Sequence, residues 1–356
     1  MTRPAAVVIL AAGAGTRMKS ATPKVLHEMC GRSLLGHAIA AARGLDPEHL
    51  VVVVRHERDA VAEHALKCDA NLIIADQDEI KGTGRAVWCG LEALPEDLEG
   101  AVVVMAGDVP LLDTESLAEM VSRHGENAVT VLTTNVPDAT GYGRIVRDAV
   151  GQITSVVEHR DATPEQREIP EINTSTYAFD AAFLRESLAD LGTSNAQGEM
   201  YLTDVVAAAY RSGHGVGDLV LEDSWLVEGC NDLAQLAVLR AEMTRRINGE
   251  WMRAGVSIID PNTTYIDVGV TLEPDSTILP GTSLHGDTRV ERGAVVGPGE
   301  LTDTLVSSGA TASHVVAYGG VVPAGTALPP FSVFPVVEVT AGGSDVDGEV
   351  PAARQN

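Results

Sequence analysis

Residues Val7–Lys24 read VVILAAGAGTRMKSATPK: a short apolar run, a stretch of alanine and glycine, then cations at Arg17, Lys19 and Lys24. That order is a β-strand running into a loop that cradles phosphate. Gly13 and Gly15 lack Cβ atoms, so the backbone can turn through positive φ and bring its N–H groups close to a polyphosphate. Two commoner glycine loops are excluded. The dinucleotide fingerprint requires a third glycine where Met18 stands, and the ATPase loop requires Gly-Lys-Ser/Thr after a longer spacer. Lysine is scarce in this chain, with only Lys19, Lys24, Lys67 and Lys81, and three of the four lie in glycine-bearing motifs.

Outward from this loop, apolar runs at Ala5–Leu10, Leu50–Val54, Leu72–Ala75 and Ala101–Met105 alternate with helix-like segments at 33–43, 57–67 and 84–93. Strands alternating with helices predict an α/β, mostly parallel, Rossmann-like sheet that binds ligands at the carboxyl ends of its strands. Asp108, in VVVMAGDVPLL, lies at such an end. A helical arm follows from Asp232 to Arg253. Beyond it Ile266, Leu272, Ile278, Leu284, Val290 and Val296 recur every six residues, and Val316, Val322, Leu328 and Phe334 resume the spacing in a shifted register. Hexapeptide repeats of this kind build a left-handed parallel β-helix, here of little more than three coils. The expected organisation is a first domain over 1–231, an arm over 232–255, a short β-helix over 256–340 and a disordered tail over 341–356.

Composition narrows the function. A chain of 356 residues exceeds one ordinary core. Fifty acidic against twenty-five basic residues give a formal charge of −25, which repels nucleic acid and anionic membranes. No stretch is long enough to span a bilayer, so a soluble, cytoplasmic protein is expected. Cys30, Cys68, Cys89 and Cys230 show neither paired nor zinc-type spacing, and free thiols are expected. An anionic substrate then needs locally placed cations and a metal.

LAAGAGTRM together with PKVLHEMCGRSLL resembles the opening of the sugar-1-phosphate nucleotidyltransferases. Within them it is similar to the N-acetylglucosamine-1-phosphate uridyltransferases, the first half of a bifunctional bacterial enzyme. The resemblance implies catalytic cations Arg17 and Lys24, and a nucleotide cradle of Leu10, Ala11, Ala12, Gly13 and Gly15. It implies Mg²⁺ held by Asp108 and by Asn231 in EGCNDLAQLA. Read without it, an aspartate after a strand is commonly a turn former, and Asn231 precedes a helix that it could cap. Gln77, Gly82 and Thr83, in ADQDEIKGTGRAV, match the segment that reads uracil, a base whose imide suits a carboxamide beside a peptide unit. Lys81 and Arg85 depart from the family pattern there. Gly141 in GYGRI, Glu158 in VEHRDAT, Asn173 in EINTSTYAF, and Tyr201 and Thr203 in SNAQGEMYLTD match the sugar site, where Ser175 stands in place of a usual glycine.

The implied substrates are UTP and N-acetylglucosamine 1-phosphate, and the product UDP-N-acetylglucosamine is a cell wall precursor. No catalytic base is needed, because a phosphate monoester is largely ionised near neutral pH, its second pKa being about 6. The family's second activity, acetyl transfer from acetyl-CoA, belongs to later β-helix coils. From residue 255 onward the chain has no lysine and only Arg289, Arg292 and Arg354, with His285 and His314 read as loop residues. The acetyltransferase is therefore expected to be missing and the β-helix to act as a homotrimer contact. Two alternatives stay open: the same chemistry on another sugar or base, and a silent trimeric scaffold that binds UDP-sugars.

Overall fold

A computed structural model describes residues 3–334; the tail expected over 341–356 lies outside them. The chain divides into two compact units, Met1–Arg246 and Ile247–Asn356.

The first unit is built on one sheet. Its strands run, from edge to edge, Val216–Leu221, Val129–Asn135, Glu171–Asp180, Ala101–Ala106, Ala6–Leu10, His49–Val54 and Ile73–Asp76. Neighbours are parallel except around Glu171–Asp180, which is antiparallel to both of its partners. A hairpin, Arg144–Arg147 with Ile153–Val157, joins that strand through the pair Ile172–Arg144. Period-two alternation sorts the strand residues between two cores. Val8, Val51, Val53, Val102 and Val104 face the helices Thr83–Glu92, Ala181–Ala189 and Asp204–Arg211. Val7, Ile9, Leu50, Val52, Val103 and Met105 face Leu34–Arg43, Arg58–Cys68 and Thr114–His124. Each such side chain removed from water contributes about 1.5–3 kcal/mol, and covering both faces leaves only the strand ends for ligands. The register pairs Leu10 with Ala106, and Gly107 N–H donates to the Leu10 carbonyl at 2.9 Å. The phosphate loop and Asp108 thus leave the sheet side by side. No described helix is long and apolar enough to cross a membrane.

The second unit is the left-handed parallel β-helix, with three parallel sheets of four, five and four strands. It holds four coils and one further strand, more than the six-residue count gave. The reason lies between Val296 and Val322, where the inward positions are Leu301, Val306, Ala312 and Ala317, all fully buried. Ile278 pairs with Val296 eighteen residues on, Leu284 with Leu301 seventeen on, and Val290 with Val306 sixteen on. Five-residue steps replace six there, so the expected core position Val316 is only half-buried and Ala317 takes its place. At the corners the buried hydroxyls of Ser276, Thr282 and Thr288 donate to the carbonyls of Glu273, Leu279 and His285 at 2.7, 2.6 and 2.7 Å. Each satisfies itself within the turn, which is why polar residues are tolerated inside so narrow a core.

Candidate active site

Where the strand Ala6–Leu10 ends, Ala11 N–H still donates to Val53 O at 2.9 Å, and the chain then turns through Gly15 at φ 57° into a single 3₁₀ turn, Thr16–Met18. Met18 is the anchor, buried beneath the loop. A Cβ at Gly15 would stand 2.6 Å from the Cβ of Lys24, so this glycine is what lets the lysine stem pass close under the loop. Gly13 differs. It is exposed, and a Cβ there would meet open space, so its lack of a side chain serves no packing need of the protein itself.

Four of the predicted residues converge beyond this loop. Lys24 Nζ donates to Asp108 Oδ2 and lies 3.5 Å from Asn231 Oδ1, while an Arg17 Nη donates to that same Asn231 oxygen at 2.7 Å. Asn231 is carried in by backbone pairing, Cys230 N–H to Asp108 O at 3.0 Å. It does not cap the helix that follows. Gln235 N–H is accepted by Asp232 Oδ1 at 2.8 Å, and the Gln235 side chain in turn accepts from Asn231 N–H at 2.8 Å. The capping task falls to the next residue, which leaves the Asn231 amide oxygen aimed at the cations.

A carboxylate oxygen and an amide oxygen that both reach one ammonium mark a position suited to a hard cation. Among the described residues no group of three or more His, Cys, Asp or Glu could hold a metal. A cation here would draw its remaining ligands from substrate phosphate and water, as Mg²⁺ commonly does. The donor set therefore fits Mg²⁺.

The predicted base-reading loop is zipped to the segment around Met200. Gly84 N–H donates to Met200 O and Met200 N–H to Lys81 O, both at 2.9 Å. Gly82 sits at φ 118°, and a Cβ there would lie 2.2 Å from Met200 O, so any side chain would force the two segments apart. Thr83 Oγ1 accepts from Leu202 N–H at 3.2 Å. Gln77 Nε2 donates to the carbonyls of Ile80 and Gly82 at 3.0 and 3.3 Å, shaping the loop from inside. Of the two departures, Lys81 is exposed, whereas Arg85 is held by Asp78 through two hydrogen bonds. The arginine's charge is already matched.

The residues predicted for the sugar site meet on the hairpin side of the sheet. Asn173 is buried, its N–H donates to Gly143 O at 2.9 Å, and its Oδ1 accepts from Ser175 N–H at 3.3 Å. A Cβ on Gly143 would come within 3.5 Å of Asn173 Cβ and 3.7 Å of Glu158 Oε2, whereas one on Gly141 would meet nothing. The structure thus brings Gly143, rather than Gly141, against the other two residues. The sequence reasoning named Gly141 alone, and the hairpin register is what brings Gly143 to that position. Thr203 Oγ1 donates to Glu158 Oε1 at 3.4 Å, and the Tyr201 hydroxyl donates to Asp161 Oδ2 at 3.2 Å. Burial pushes the Glu158 carboxyl above the usual range; Asp161, Asp204 and Glu199 push it the same way, against the Thr203 hydrogen bond.

Two further residues border the phosphate cluster and were missed from sequence. The Tyr142 hydroxyl donates to Glu228 Oε2 at 3.3 Å. Burial first, then the Glu228 charge, push the Tyr142 phenol up to about 12, so it stays a donor throughout the neutral range. Neither residue carries a signal in its own neighbourhood, because 86 residues of chain separate them.

A MobA-like NTP transferase domain matches residues 7–169. The chain is 55% identical over 336 residues to the bifunctional protein GlmU of Pseudarthrobacter chlorophenolicus, covering 93% of this chain and 68% of that one. It is 54% identical over 334 residues to GlmU of Paenarthrobacter aurescens, covering 92% and 67%, and 52% identical over 321 residues to GlmU of Streptomyces coelicolor, covering 89% and 67%.

Proposed function

The chain belongs to the family of the bifunctional GlmU proteins and is a nucleotidyltransferase, and from that premise we propose that it transfers uridylyl from UTP to N-acetylglucosamine 1-phosphate, releasing pyrophosphate. The observation that carries this reading is the convergence of Arg17, Lys24, Asp108 and Asn231 at the shared end of two parallel strands, together with the polar group of Glu158, Asn173 and Thr203 on the hairpin side of the same sheet.

The nucleophile is a phosphate oxygen of the sugar, already ionised, so no side chain has to remove a proton. The work is to hold two polyanions in line at the α-phosphorus of UTP. Gly13 leaves the loop open to the triphosphate, and the backbone from Leu10 through Ala12 to Gly15 lines the approach. Arg17 and Lys24 balance charge on the α-phosphate and on the departing pyrophosphate. Asp108 and Asn231 would hold Mg²⁺, which would supply positive charge to the phosphates. Uracil is read by Gln77 and the backbone of Gly82 and Thr83. Glu158, Asn173, Thr203 and Tyr201, with the backbone at Gly141 and Gly143, receive the sugar.

The same reading takes the protein to be cytoplasmic and trimeric through the β-helix, where Tyr265, Tyr318 and Val321 are exposed apolar side chains. It takes the described coils not to carry acetyl transfer. The coils described up to residue 334 hold no lysine, and of their two arginines Arg292 is paired with Asp275 while Arg289 is exposed, so a polyphosphorylated coenzyme finds few cations there to bind. The test is pyrophosphate release across a matrix of nucleoside triphosphates and sugar 1-phosphates, with free-CoA release from acetyl-CoA and glucosamine 1-phosphate assayed alongside. UTP with N-acetylglucosamine 1-phosphate should lead the matrix and CoA release should stay at background. A different leading pair, or CoA above background, would overturn the corresponding part.

A further inference from the structure

The loop Asp138–Gly143 connects the strand Val129–Asn135 to the hairpin, and it is held at its two ends by different means. Inside, Arg144 is 2% exposed and donates to the carbonyl of Tyr142, with a second bond at 3.4 Å to the carbonyl of Arg167. Among the described residues Arg144 has no carboxylate within ion-pair distance. Its two terminal nitrogens are held by main-chain carbonyls, which fixes the base of the loop, while its buried Nε has no hydrogen-bond partner. The Tyr142 ring packs against Val136, Ala139 and Ile172. At its tip, the Tyr142 hydroxyl is the loop's hydrogen bond to the segment Glu228–Asn231.

That second segment is rigid without the tyrosine. Buried Val227 precedes it, Glu228 N–H donates to Trp225 O at 3.3 Å, Cys230 N–H to Asp108 O at 3.0 Å and Asn231 N–H to Gln235 Oε1 at 2.8 Å. The loop is therefore the held partner and the Asn231 segment the holder.

We propose that the Tyr142–Glu228 hydrogen bond is a latch that sets the sugar-binding loop in register with the segment carrying Asn231, making both of them positioning residues for the sugar 1-phosphate. The inference rests on the uridylyl-transfer reading. Because Gly143 borders Glu158 and Asn173, one residue from Tyr142, any swing of the tyrosine moves one wall of the sugar pocket. The nucleotide loop and Asn231 keep their own anchors, so UTP binding is left alone.

Tyr142→Phe retains the ring contacts and deletes only the donor. Glu228→Ala deletes the acceptor, while Glu228→Gln keeps an acceptor oxygen. Steady-state constants should be measured separately for N-acetylglucosamine 1-phosphate and UTP in these variants and in Tyr142→Phe/Glu228→Ala, with thermal unfolding to establish that each is folded. Tyr142→Phe and Glu228→Ala should each raise KM for the sugar phosphate about tenfold, the scale of one hydrogen bond to a charged group. KM for UTP should move less than twofold, Glu228→Gln should restore most of the loss, and the double variant should be no worse than either single. Additive losses, equal shifts in both KM values, or an unaffected Glu228→Ala would each overturn the latch. A wild type without turnover on any substrate pair would instead sink the uridylyl-transfer reading. The latch is then judged by calorimetric titration with N-acetylglucosamine 1-phosphate alone, where the same pattern should appear in Kd.

Discussion

The phosphate end and the sugar end of this site handle charge in opposite ways. At the phosphate end Lys24 is paired with Asp108 while Arg17 donates to the neutral amide of Asn231, which leaves one positive charge in excess. At the sugar end Glu158 is half-buried, with Asp161, Asp204 and Glu199 opposing its ionised form and the Thr203 hydroxyl favouring it. The first arrangement can exchange partners when a metal and a triphosphate arrive, since Lys24 leaves one counter-ion for another and Arg17 leaves a neutral amide for one. The second leaves a carboxylate short of donors, which hydroxyl and amide groups can supply and a second phosphate cannot. A neutral sugar ring carrying its one phosphate at the far side suits this division.

The largest effect expected from breaking the contrast lies at the phosphate end. Lys24→Ala or Asp108→Asn should cut kcat a hundredfold or more, the order of losing a preorganised contact to developing charge, while the unfolding temperature changes little. Chelator should abolish wild-type turnover and Mg²⁺ should restore it. Undiminished pyrophosphate release in EDTA would remove Mg²⁺ from Asp108 and Asn231.

Glu158→Gln sharpens the contrast from the other side, with stability and binding moving in opposite directions. A carboxyl raised above its ordinary value of 4.5 favours folding while both states are protonated and loses that favour as pH rises through the folded value. Above it the ionised form costs stability. The variant should therefore melt a few degrees higher than wild type near pH 8, and the gap should close below about pH 4. Its KM for the sugar phosphate should meanwhile rise about tenfold through weaker acceptance of hydroxyl donors. Equal melting temperatures at pH 8 would mean that Glu158 carries no such strain.

How much of this was legible from sequence differs between the same two ends. The phosphate loop, Asp108 and the buried strands before them announce themselves locally, because a strand, a glycine turn and a cation sit within twenty residues. Asn231 was ambiguous for a physical reason: an amide before a helix is a natural cap, and only the geometry of Asp232 and Gln235 assigns the cap elsewhere. The antiparallel strand Glu171–Asp180 and its hairpin were not read, since their apolar positions mix with the buried threonines Thr174 and Thr176. In the β-helix the six-residue spacing identified the fold and then misplaced Val316, because a coil of sixteen residues keeps its stack while losing the period. Local chemistry is legible; long-range register is not.

Ser175→Gly should give the smallest effect, and it separates crowding of the sugar from strain in the backbone. The hydroxymethyl group that stands in place of a usual glycine is exposed, and the residue sits at φ 60° in the irregular stretch where the pairing shifts between Asn173 and Tyr177. A left-handed conformation costs a residue with a Cβ on the order of 1 kcal/mol, and glycine relieves it while adding freedom to the unfolded chain. What reaches the sugar site is the Ser175 N–H, held by Asn173 Oδ1 at 3.3 Å, and glycine keeps that group. The variant should therefore melt within about 3 °C of wild type, on the higher side. Its ratio of kcat/KM for N-acetylglucosamine 1-phosphate over glucose 1-phosphate should shift less than about threefold, well below the ten- to two-hundredfold range of a pocket contact. A larger shift would place the serine hydroxyl on the sugar and make the sugar end sensitive to side chains beyond its carboxylates.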